Sequence, residues 1–188
     1  MNLLQTEKLM WLAICLYWLV SSFSVKKTLK KQSGGQRITY LLAVLLAFCF
    51  LFEDYVKLDF LYRPILPQND YWKMAGLILC AGGLLFAFSA RIWLGKNWSG
   101  RITIKENHEL VQSGPYRFTR NPIYTGFLLA FLGCSMSQGL AKGYIGILLL
   151  LAGLMLKISK EESYMQEVFG EQWQAYRRRV KRLIPGIY

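Results

Sequence analysis

A polar segment between two apolar stretches carries most of the side chains of this sequence that could do chemistry. The segment, residues 108–124, contains two Xaa-Pro steps and is followed, after a long apolar stretch, by Lys157 and the adjacent acids Glu161 and Glu162. Lys157 and Glu161 are four positions apart, so they share one face of a helix. Such a pair is either a surface ion pair of small energetic value or the polar floor of a site for a charged small molecule. Their spacing leaves both interpretations open.

The elements that position these residues are predicted to be membrane helices. The chain has 188 residues, enough for one domain, and its 54% hydrophobic and 15% aromatic content exceeds that of soluble domains of this size. Length and hydropathy indicate four apolar stretches, the last of which is interrupted near residues 138–143. These stretches are residues 9–25, 38–52, 72–94 and 123–158. The interruption predicts a helical hairpin and therefore five spans.

The hairpin could instead be a re-entrant pair that never crosses the bilayer. Each arm has about 15 strongly apolar residues, roughly 22 Å of helix against a hydrocarbon core of roughly 30 Å. Flanking residues such as Ser135, Lys142 and Tyr144 could extend each arm to the membrane surface.

Charge placement favours full crossing. Short loops rich in Lys and Arg stay in the cytoplasm, and the first loop, the third loop and the tail are all basic. The second loop instead carries four acids against two basic residues, namely Glu53, Asp54, Asp59 and Asp70 against Lys57 and Arg63. Five spans place every basic segment on one side, with an outside N-terminus and a cytoplasmic C-terminus, whereas four spans would separate the third loop from the tail. The net charge of +12 thus follows from topology and contact with anionic lipid, and we expect no nucleic-acid partner.

After the last span, apolar residues recur at helical intervals between charged positions. They are Met165, Val168, Phe169, Trp173, Tyr176 and Val180. The pattern predicts a cytoplasmic amphipathic helix that either anchors the chain at the interface or folds over a site. The predicted fold is therefore an all-α integral membrane protein with five transmembrane helices, the last two a hairpin, plus this C-terminal helix. We expect one membrane domain, 1–188, with the first two spans in 1–71 and a functional core with its lid in 72–188.

Metal and dinucleotide chemistry have no support in the motifs. His108 is the single histidine, and no two of the four cysteines have the spacing of a zinc-ligand pair. No Gly-x-Gly-x-x-Gly follows a strand, and Gly82-Gly83 lies inside an apolar helix, where close helix packing explains it. We expect no metal, and any cofactor must be held by loops and helix ends at the membrane surface.

The segment 108–124, the following hairpin, Glu161-Glu162, Phe169-Gly170 and Tyr176 together resemble the isoprenylcysteine carboxyl methyltransferase family and the related phospholipid methyltransferases. The resemblance covers roughly residues 97–185, and the first two spans carry no specific match. It implies an integral membrane enzyme that binds S-adenosylmethionine in a cytoplasmic pocket closed by the C-terminal segment. It also implies a lipid-linked or isoprenoid substrate that enters from the bilayer.

Carried over by position, the resemblance assigns two runs, one isolated tyrosine and one acid to the cofactor. The cofactor-binding residues are His108, Glu109, Leu110 and Val111, then Tyr116, then Asn121, Pro122, Ile123 and Tyr124, and finally Glu161. Arg120 and Lys157 are the candidates for positioning an anionic acceptor carboxylate, although Arg120 could instead bond loop carbonyls. These roles suit a ligand that offers an ammonium, a carboxylate and an adenine.

One departure from the family bears on the acceptor. The family's Arg-His-Pro is Arg120-Asn121-Pro122 here, and an amide cannot ionise. A carboxylate is already a nucleophile at neutral pH, whereas a protonated amine must first lose a proton to a base. We therefore expect direct in-line O-methylation of a lipid-linked carboxylate such as that of isoprenylcysteine.

Other functions stay open at this level. One is methylation of a phospholipid, small amine or thiol, another is an NADPH-dependent enzyme like the sterol reductases, and a third is a non-catalytic membrane protein of the same fold. The membrane is either a prokaryotic cytoplasmic membrane or the endoplasmic reticulum.

Overall fold

A computed structural model describes residues 2–23, 28–31, 34–98, 103–105 and 110–188 of the chain. Five long helices dominate it. They are α1 Leu3–Ser21, α2 Gly34–Phe52, α3 Asp70–Leu94, α4 Pro122–Gln138 and α5 Ala141–Arg179. Two short strands, β1 Thr28–Lys31 and β2 Thr103–Lys105, pair antiparallel, and short 3-10 turns occupy Asp59–Tyr62, Gly95–Asn97 and Gly114–Arg117.

Local sequence signals explain where the helices begin and end. At the start of α1, Asn2 and Gln5 form a reciprocal capping box, and at the start of α3 the side chain of Asn69 accepts a hydrogen bond from the backbone of the third residue along. Pro122 opens α4, where its missing N–H costs nothing. Gly139 ends α4 in the left-handed region at φ 66°, so the hairpin turn lies inside the predicted interruption.

Glycines bring α3 and α4 into close antiparallel contact. Gly76 lies against Gly133, and Gly83, about two turns further along α3, lies against Gly126. A Cβ atom built on Gly133 would lie 2.3 Å from the backbone nitrogen of Cys80. Small residues are typical of membrane helix interfaces because the helices associate through close packing of their backbones.

A second antiparallel pair, α2 and α5, packs in the same way. Gly146 faces Ala47, and Gly153 faces Ala43 and the backbone of Tyr40. The two pairs share one apolar core, into which α1 inserts a tryptophan. That core includes Trp11, Leu51, Phe131, Leu154 and Ile158.

The helices run between two ends of the bundle. At the tail end, which we define as residues 22–23, 28–31, 34–38, 95–98, 103–105, 110–121 and 159–188, β1 after α1 pairs with β2 after α3, and Thr119 bridges Lys181. At the opposite end, defined as residues 2–8, 53–70 and 138–142, three contacts join the N-terminus, the second loop and the α4–α5 turn. They are Lys8 to Glu53 at 3.2 Å, Lys142 to Asp54 at 2.5 Å and Gln68 Nε2 to the Gln138 carbonyl at 2.8 Å.

The protein is a helical integral membrane protein. Among the described residues, three helices, α1, α3 and α5, are long and apolar enough to cross a membrane, and α2 contributes a shorter apolar stretch, Ile38–Phe52. With 17 residues, α4 measures about 26 Å at about 1.5 Å per residue, yet it reaches from one end of the bundle to the other.

Two details differ from the sequence-based expectation. The segment that follows the last span is continuous with α5, which reaches Arg179 and kinks at Gly170, with φ 49° and ψ −117°. Helix formers and acids fill the stretch from Lys157 to Phe169 without Gly or Pro, so nothing stops the helix earlier. The β1–β2 pair is the second difference, because strands of four and three residues are too short to give an alternating pattern.

Candidate functional site

A hydrogen bond joins the start of α4 to the middle of α5. The hydroxyl of Tyr124, in the first turn of α4, donates to the carboxylate of Glu161, with oxygen distances of 3.0 Å to Oε1 and 2.9 Å to Oε2. The Glu161 side chain is about one-fifth exposed. A carboxylate with two oxygens can accept about four hydrogen bonds, so Glu161 keeps acceptor capacity for a ligand.

Lys157 lies one helical turn before Glu161 on the same face. Its Nζ is 3.5 Å from Glu161 Oε1, 5.0 Å from the centre of the Tyr124 ring and 5.6 Å from the centre of the Tyr40 ring. Only 14% of the Lys157 side chain is exposed. We call these four residues, Tyr40, Tyr124, Lys157 and Glu161, the Glu161 cluster. It holds one carboxylate and one ammonium that are mostly buried and lie 3.5 Å apart.

The adjacent acid, Glu162, faces a different direction and binds two arginines. Its Oε1 accepts from Arg120 at 2.9 Å (Nη2) and 3.0 Å (Nε), and its Oε2 accepts from Arg182 at 2.6 Å (Nη2) and 3.2 Å (Nε). Glu162 and Arg120 are more than nine-tenths buried. The hydrogen bond to Glu162 raises the pKa of Arg182. These three residues, which we call the Glu162 latch, fasten the tail to α5 and to the residues before α4.

Backbone carbonyls of the tail complete this attachment. The Arg120 backbone N–H donates to the Lys181 carbonyl at 2.8 Å, and the Thr119 and Asn121 side chains both donate to the Arg182 carbonyl, at 2.8 and 3.1 Å. The remaining donors of the Arg120 guanidinium bond the carbonyls of Arg177 and Val180. Thr125 Oγ1 donates to the carbonyl of Leu183 at 2.7 Å. Residues 180–183 therefore lie across the start of α4.

A small aromatic core lies beside the start of α4. Tyr116 and Ile123 are buried against Ala90, with Val111 and Trp98 packed around them. Burial raises the pKa of Tyr116, which keeps its phenol neutral.

The turn that carries Tyr116 needs a glycine. Gly114 has φ 59°, and a Cβ atom there would lie 2.4 Å from the ring of Trp93. Trp93 also donates its indole N–H to Ser113 Oγ at 3.0 Å. The position of this loop is thus set by the end of α3.

The last part of α5 packs on the same loop. The Tyr176 hydroxyl donates to the Tyr116 carbonyl at 2.6 Å, and burial raises the pKa of Tyr176. Leu110 packs in the cluster formed by Trp173, Tyr176 and Val180. Leu110 and Val111 therefore point into two neighbouring apolar clusters.

The predicted site residues fall into groups. Tyr124, Lys157 and Glu161 are in mutual contact, Tyr116, Ile123 and Val111 share one apolar cluster, and Leu110 lies in the next. Pro122 is fully buried at the start of α4. Asn121 and Arg120 bond the tail, so Arg120 lies in a different ion pair from Lys157. His108 and Glu109 lie outside the described residues.

Four residues around the site were not predicted from the sequence. Thr119, Thr125 and Arg182 hold the tail, and Tyr40 reaches the Glu161 cluster from α2. Adjacent residues on a helix are about 100° apart, so the pair Glu161-Glu162 itself indicates that one acid must face away from the site. No comparable signal marks Tyr40, because its partner on α5 is distant in sequence.

The chemistry available at the Glu161 cluster is that of a zwitterion site. It offers a carboxylate, an ammonium and two phenol rings beside a loop whose apolar clusters could take an aromatic base. In the part of the chain that the structure describes, no group of three or more His, Cys, Asp or Glu side chains is arranged to hold a metal ion.

Comparisons with known proteins bear on these residues. A family model described as phospholipid methyltransferase matches residues 72–172. The protein-S-isoprenylcysteine O-methyltransferase of Schizosaccharomyces pombe is 29% identical over 174 residues, which cover 91% of this chain and 67% of that protein. Protein-S-isoprenylcysteine O-methyltransferase B of Arabidopsis thaliana is 28% identical over 132 residues, 69% of this chain and 67% of that protein.

A solved structure gives the same fold. The eukaryotic intramembrane methyltransferase structure of an isoprenylcysteine carboxyl methyltransferase superimposes with a TM-score of 0.53 and 21% identity, over 81% of this chain and 50% of that chain. This chain therefore spans half the length of that structure. The resemblance predicted from residues 97–185 is confirmed, and it reaches further than predicted, because the yeast relative aligns with 91% of the chain.

Proposed function

The chain belongs to the phospholipid methyltransferase family, and from that premise we propose that it is a membrane enzyme that O-methylates a carboxylate on an isoprenoid-linked or lipid-linked acceptor such as isoprenylcysteine. We propose S-adenosylmethionine as the methyl donor. Curated relatives named protein-S-isoprenylcysteine O-methyltransferase support this acceptor class. The single observation that carries the proposal is that Tyr124 of α4 contacts Lys157 and Glu161 of α5. These residues come from two parts of the predicted site that are far apart in sequence.

The residues present suit S-adenosylmethionine. Glu161 has an acceptor to spare for the ammonium of the amino acid part, and Tyr124 holds that carboxylate in one orientation. Val111, Tyr116 and Ile123 supply an apolar and aromatic wall for an adenine. The assignments of His108 and Glu109 stay predictions. When bound, the donor supplies a methyl group on a sulfonium, which an ionised carboxylate attacks without prior loss of a proton.

Lys157 is the better placed of the two candidate cations for the acceptor. Within the described residues its ammonium has one ion pair, at 3.5 Å from Glu161, and otherwise contacts only the rings of Tyr124 and Tyr40. A ligand ammonium at Glu161 would weaken that pair and leave Lys157 to hold an anionic carboxylate. Every guanidinium nitrogen of Arg120 already has a partner in Glu162, Arg177 or Val180. We therefore propose that Arg120 acts by positioning the loop and the tail.

Asn121 fits this chemistry. Its amide donates to the Arg182 carbonyl, so it is a neutral residue that holds the tail in place and does not act as a base. O-methylation of a carboxylate needs no base, whereas methylation of an ammonium does. This difference favours the carboxylate acceptor over an amine headgroup.

The proposed topology has five spans, with an outside N-terminus and a cytoplasmic C-terminus. The contacts between the first loop, the third loop and the tail support it, because these are the basic segments. In this arrangement α4 and α5 both cross, and residues 171–188 cover the pocket from the cytoplasmic side. We propose one membrane domain, in which 1–71 carries the first two spans with the basic cytoplasmic loop and 72–188 forms the methyltransferase core with its cofactor pocket and C-terminal lid.

The test is a product assay on membranes that contain the full chain. Membranes are incubated with methyl-labelled S-adenosylmethionine and either an S-farnesylated N-acetylcysteine or phosphatidylethanolamine. We expect label in the prenylcysteine product that mild alkali releases as methanol, the behaviour of a methyl ester. The variant Glu161→Ala should give no product above background.

Other outcomes separate the alternatives. Alkali-stable label in phosphatidylethanolamine would replace the proposal by N-methylation of a phospholipid. Binding of the donor without label in either lipid would point to a non-catalytic member of the fold, and binding of NADPH in its place would point to a reductase.

A further inference from the structure

A buried tyrosine hydroxyl at the Glu161 cluster has no hydrogen-bond partner among the described residues. Tyr40, on α2, is 5% exposed, and its hydroxyl makes no hydrogen bond to any part of the chain that the structure describes. The ring lies beside the Lys157 ammonium, 5.6 Å from its Nζ. A buried polar group without a partner is rare and costly, so its presence at a candidate site calls for an explanation.

Helix packing, and not the hydroxyl, holds Tyr40 in place. Gly153 of α5 lets α2 approach so closely that a Cβ atom there would lie 2.8 Å from the Ala43 Cβ and 3.3 Å from the Tyr40 carbonyl. Lys157 follows Gly153 by one turn. The backbone at Tyr40 is thus fixed against the same face of α5 that carries Lys157 and Glu161, and the hydroxyl contributes nothing to that contact.

The surroundings of the hydroxyl favour an anionic ligand. Lys157 adds positive charge on one side, and the Glu161 carboxylate is already held by the Tyr124 hydroxyl. A carboxylate bound here would accept from both the ammonium and the phenol, and hydrogen bonds to charged acceptors are the strong ones.

The location on α2 points to the acceptor and not to the methyl donor. The family model begins at residue 72, after the end of α2, and so assigns no role to that helix. Next to Tyr40 along α2, Leu42 and Leu45 are more than half exposed on the outer surface of the bundle, which is where lipid lies in a membrane protein. A lipid-linked molecule that enters from the bilayer would meet this helix.

We propose that Tyr40 is an acceptor-binding residue, whose hydroxyl donates a hydrogen bond to the carboxylate of the methyl acceptor beside the Lys157 ammonium. This inference rests on the proposed function. It adds α2 to the site and makes Tyr40 a determinant of acceptor selectivity, since an uncharged acceptor would leave the phenol unpaired.

The test is Tyr40→Phe in the purified full-length protein, with S-farnesylated N-acetylcysteine as acceptor. We expect the KM for the acceptor to rise on the order of tenfold, the effect of losing one hydrogen bond to a charged group. The dissociation constant of S-adenosylmethionine should not change. The melting temperature should stay the same or rise, because the lost hydroxyl bonds nothing in the part of the chain that the structure describes. If the Tyr40 hydroxyl had a purely structural role, its loss would lower the melting temperature and leave the KM for the acceptor unchanged.

The matched control is Tyr71→Phe, which removes a hydroxyl in the first turn of α3, far from the Glu161 cluster, where Tyr71 is 72% exposed. It should behave as the wild type. If the wild type forms the methyl ester and Tyr40→Phe keeps the acceptor KM, or loses donor affinity and melting temperature together, the role of Tyr40 is refuted while the proposed function stands. If the wild type forms no methyl ester, the role of Tyr40 and the proposed function are both refuted.

Discussion

Tyr124 donates its phenolic hydrogen to the carboxylate of Glu161, with oxygen distances of 2.9 and 3.0 Å. The two residues belong to separate elements of the family pattern and lie 37 positions apart in the chain. Their contact orients Glu161 toward Lys157 while Glu162 faces the tail. A single pair of adjacent acids thus serves both a candidate ligand site and the attachment of the tail.

The first prediction concerns the donor site. Glu161→Ala should abolish binding of S-adenosylmethionine, because the ligand ammonium loses its carboxylate. Tyr124→Phe should weaken binding by about tenfold or more, since the hydrogen bond that orients the acid is worth about 1.5–3 kcal/mol to a charged group. Isothermal calorimetry measures both, and an unchanged affinity in Glu161→Ala would remove Glu161 from the site.

The second prediction concerns the Glu162 latch. Glu162→Gln should destabilise the folded protein by about 3–5 kcal/mol, because it leaves the buried Arg120 without its counter-charge. Thermal unfolding in detergent provides the measurement, and limited proteolysis should cleave after the tail arginines. The control Glu171→Gln changes an exposed acid of the same helix and should melt as the wild type does. Equal melting of the two variants would mean that the latch carries no stability.

The third prediction compares two adjacent glycines of α3. Gly83→Ala places a Cβ atom 2.5 Å from the Ala130 nitrogen, so α3 and α4 must separate and stability should fall by about 1–3 kcal/mol or more. Gly82→Ala meets nothing within 4 Å and should be neutral or stabilising by up to about 1 kcal/mol, the helix propensity of alanine over glycine. Chemical unfolding curves of both variants test the packing, and similar losses would contradict it.

The fourth prediction concerns pH and the opposite end of the bundle. The hydrogen bond from Lys142 holds the pKa of Asp54 below its ordinary value. Because the folded pKa is lower than the unfolded one of about 3.9, the pair stabilises the protein above about pH 4 and loses its effect as the pH falls through the folded value. Asp54 is two-thirds exposed, so the contribution is at most about 1 kcal/mol.

The measurement for Asp54 is the melting temperature of wild type and Asp54→Asn between pH 7 and pH 3. The difference between the two melting temperatures should be constant down to about pH 4 and disappear below it. Asp59→Asn, at an exposed acid of the same loop, should have the melting temperature of the wild type at every pH. A difference for Asp54→Asn that persists at the lowest pH would show that the ion pair is not its cause.

The fifth prediction concerns the departure from the family motif. Asn121→Ala should cost about 1 kcal/mol of stability, because it removes the hydrogen bond to the Arg182 carbonyl. The dependence of the methylation rate on pH should keep its shape, since no ionisable group is lost. A shifted pH profile would assign Asn121 to the proton chemistry of the reaction.

The apolar stretches were predictable because hydrophobicity and length act locally. The predicted turn near residues 138–143 falls at Gly139, and the third stretch, 72–94, matches α3, Asp70–Leu94, within two residues. The end of the last helix was not predictable in the same way. The chain continues as helix to Arg179 because no breaker intervenes, and the kink at Gly170 depends on how the tail packs.

What the sequence alone determined is the class of protein, the order of its helices and the polar residues that could serve a methyl donor. These depend on composition, on charge bias and on the resemblance of the motifs in 108–124 and at Glu161-Glu162. Only the tertiary structure decided that Tyr124 bonds Glu161, that Arg120 and Asn121 bond the tail, and that Tyr40 of α2 reaches the cluster. Those relationships join residues that are distant in the chain, so no local pattern encodes them. At Tyr40 the physical reason is the close packing of α2 on α5 that Gly153 permits.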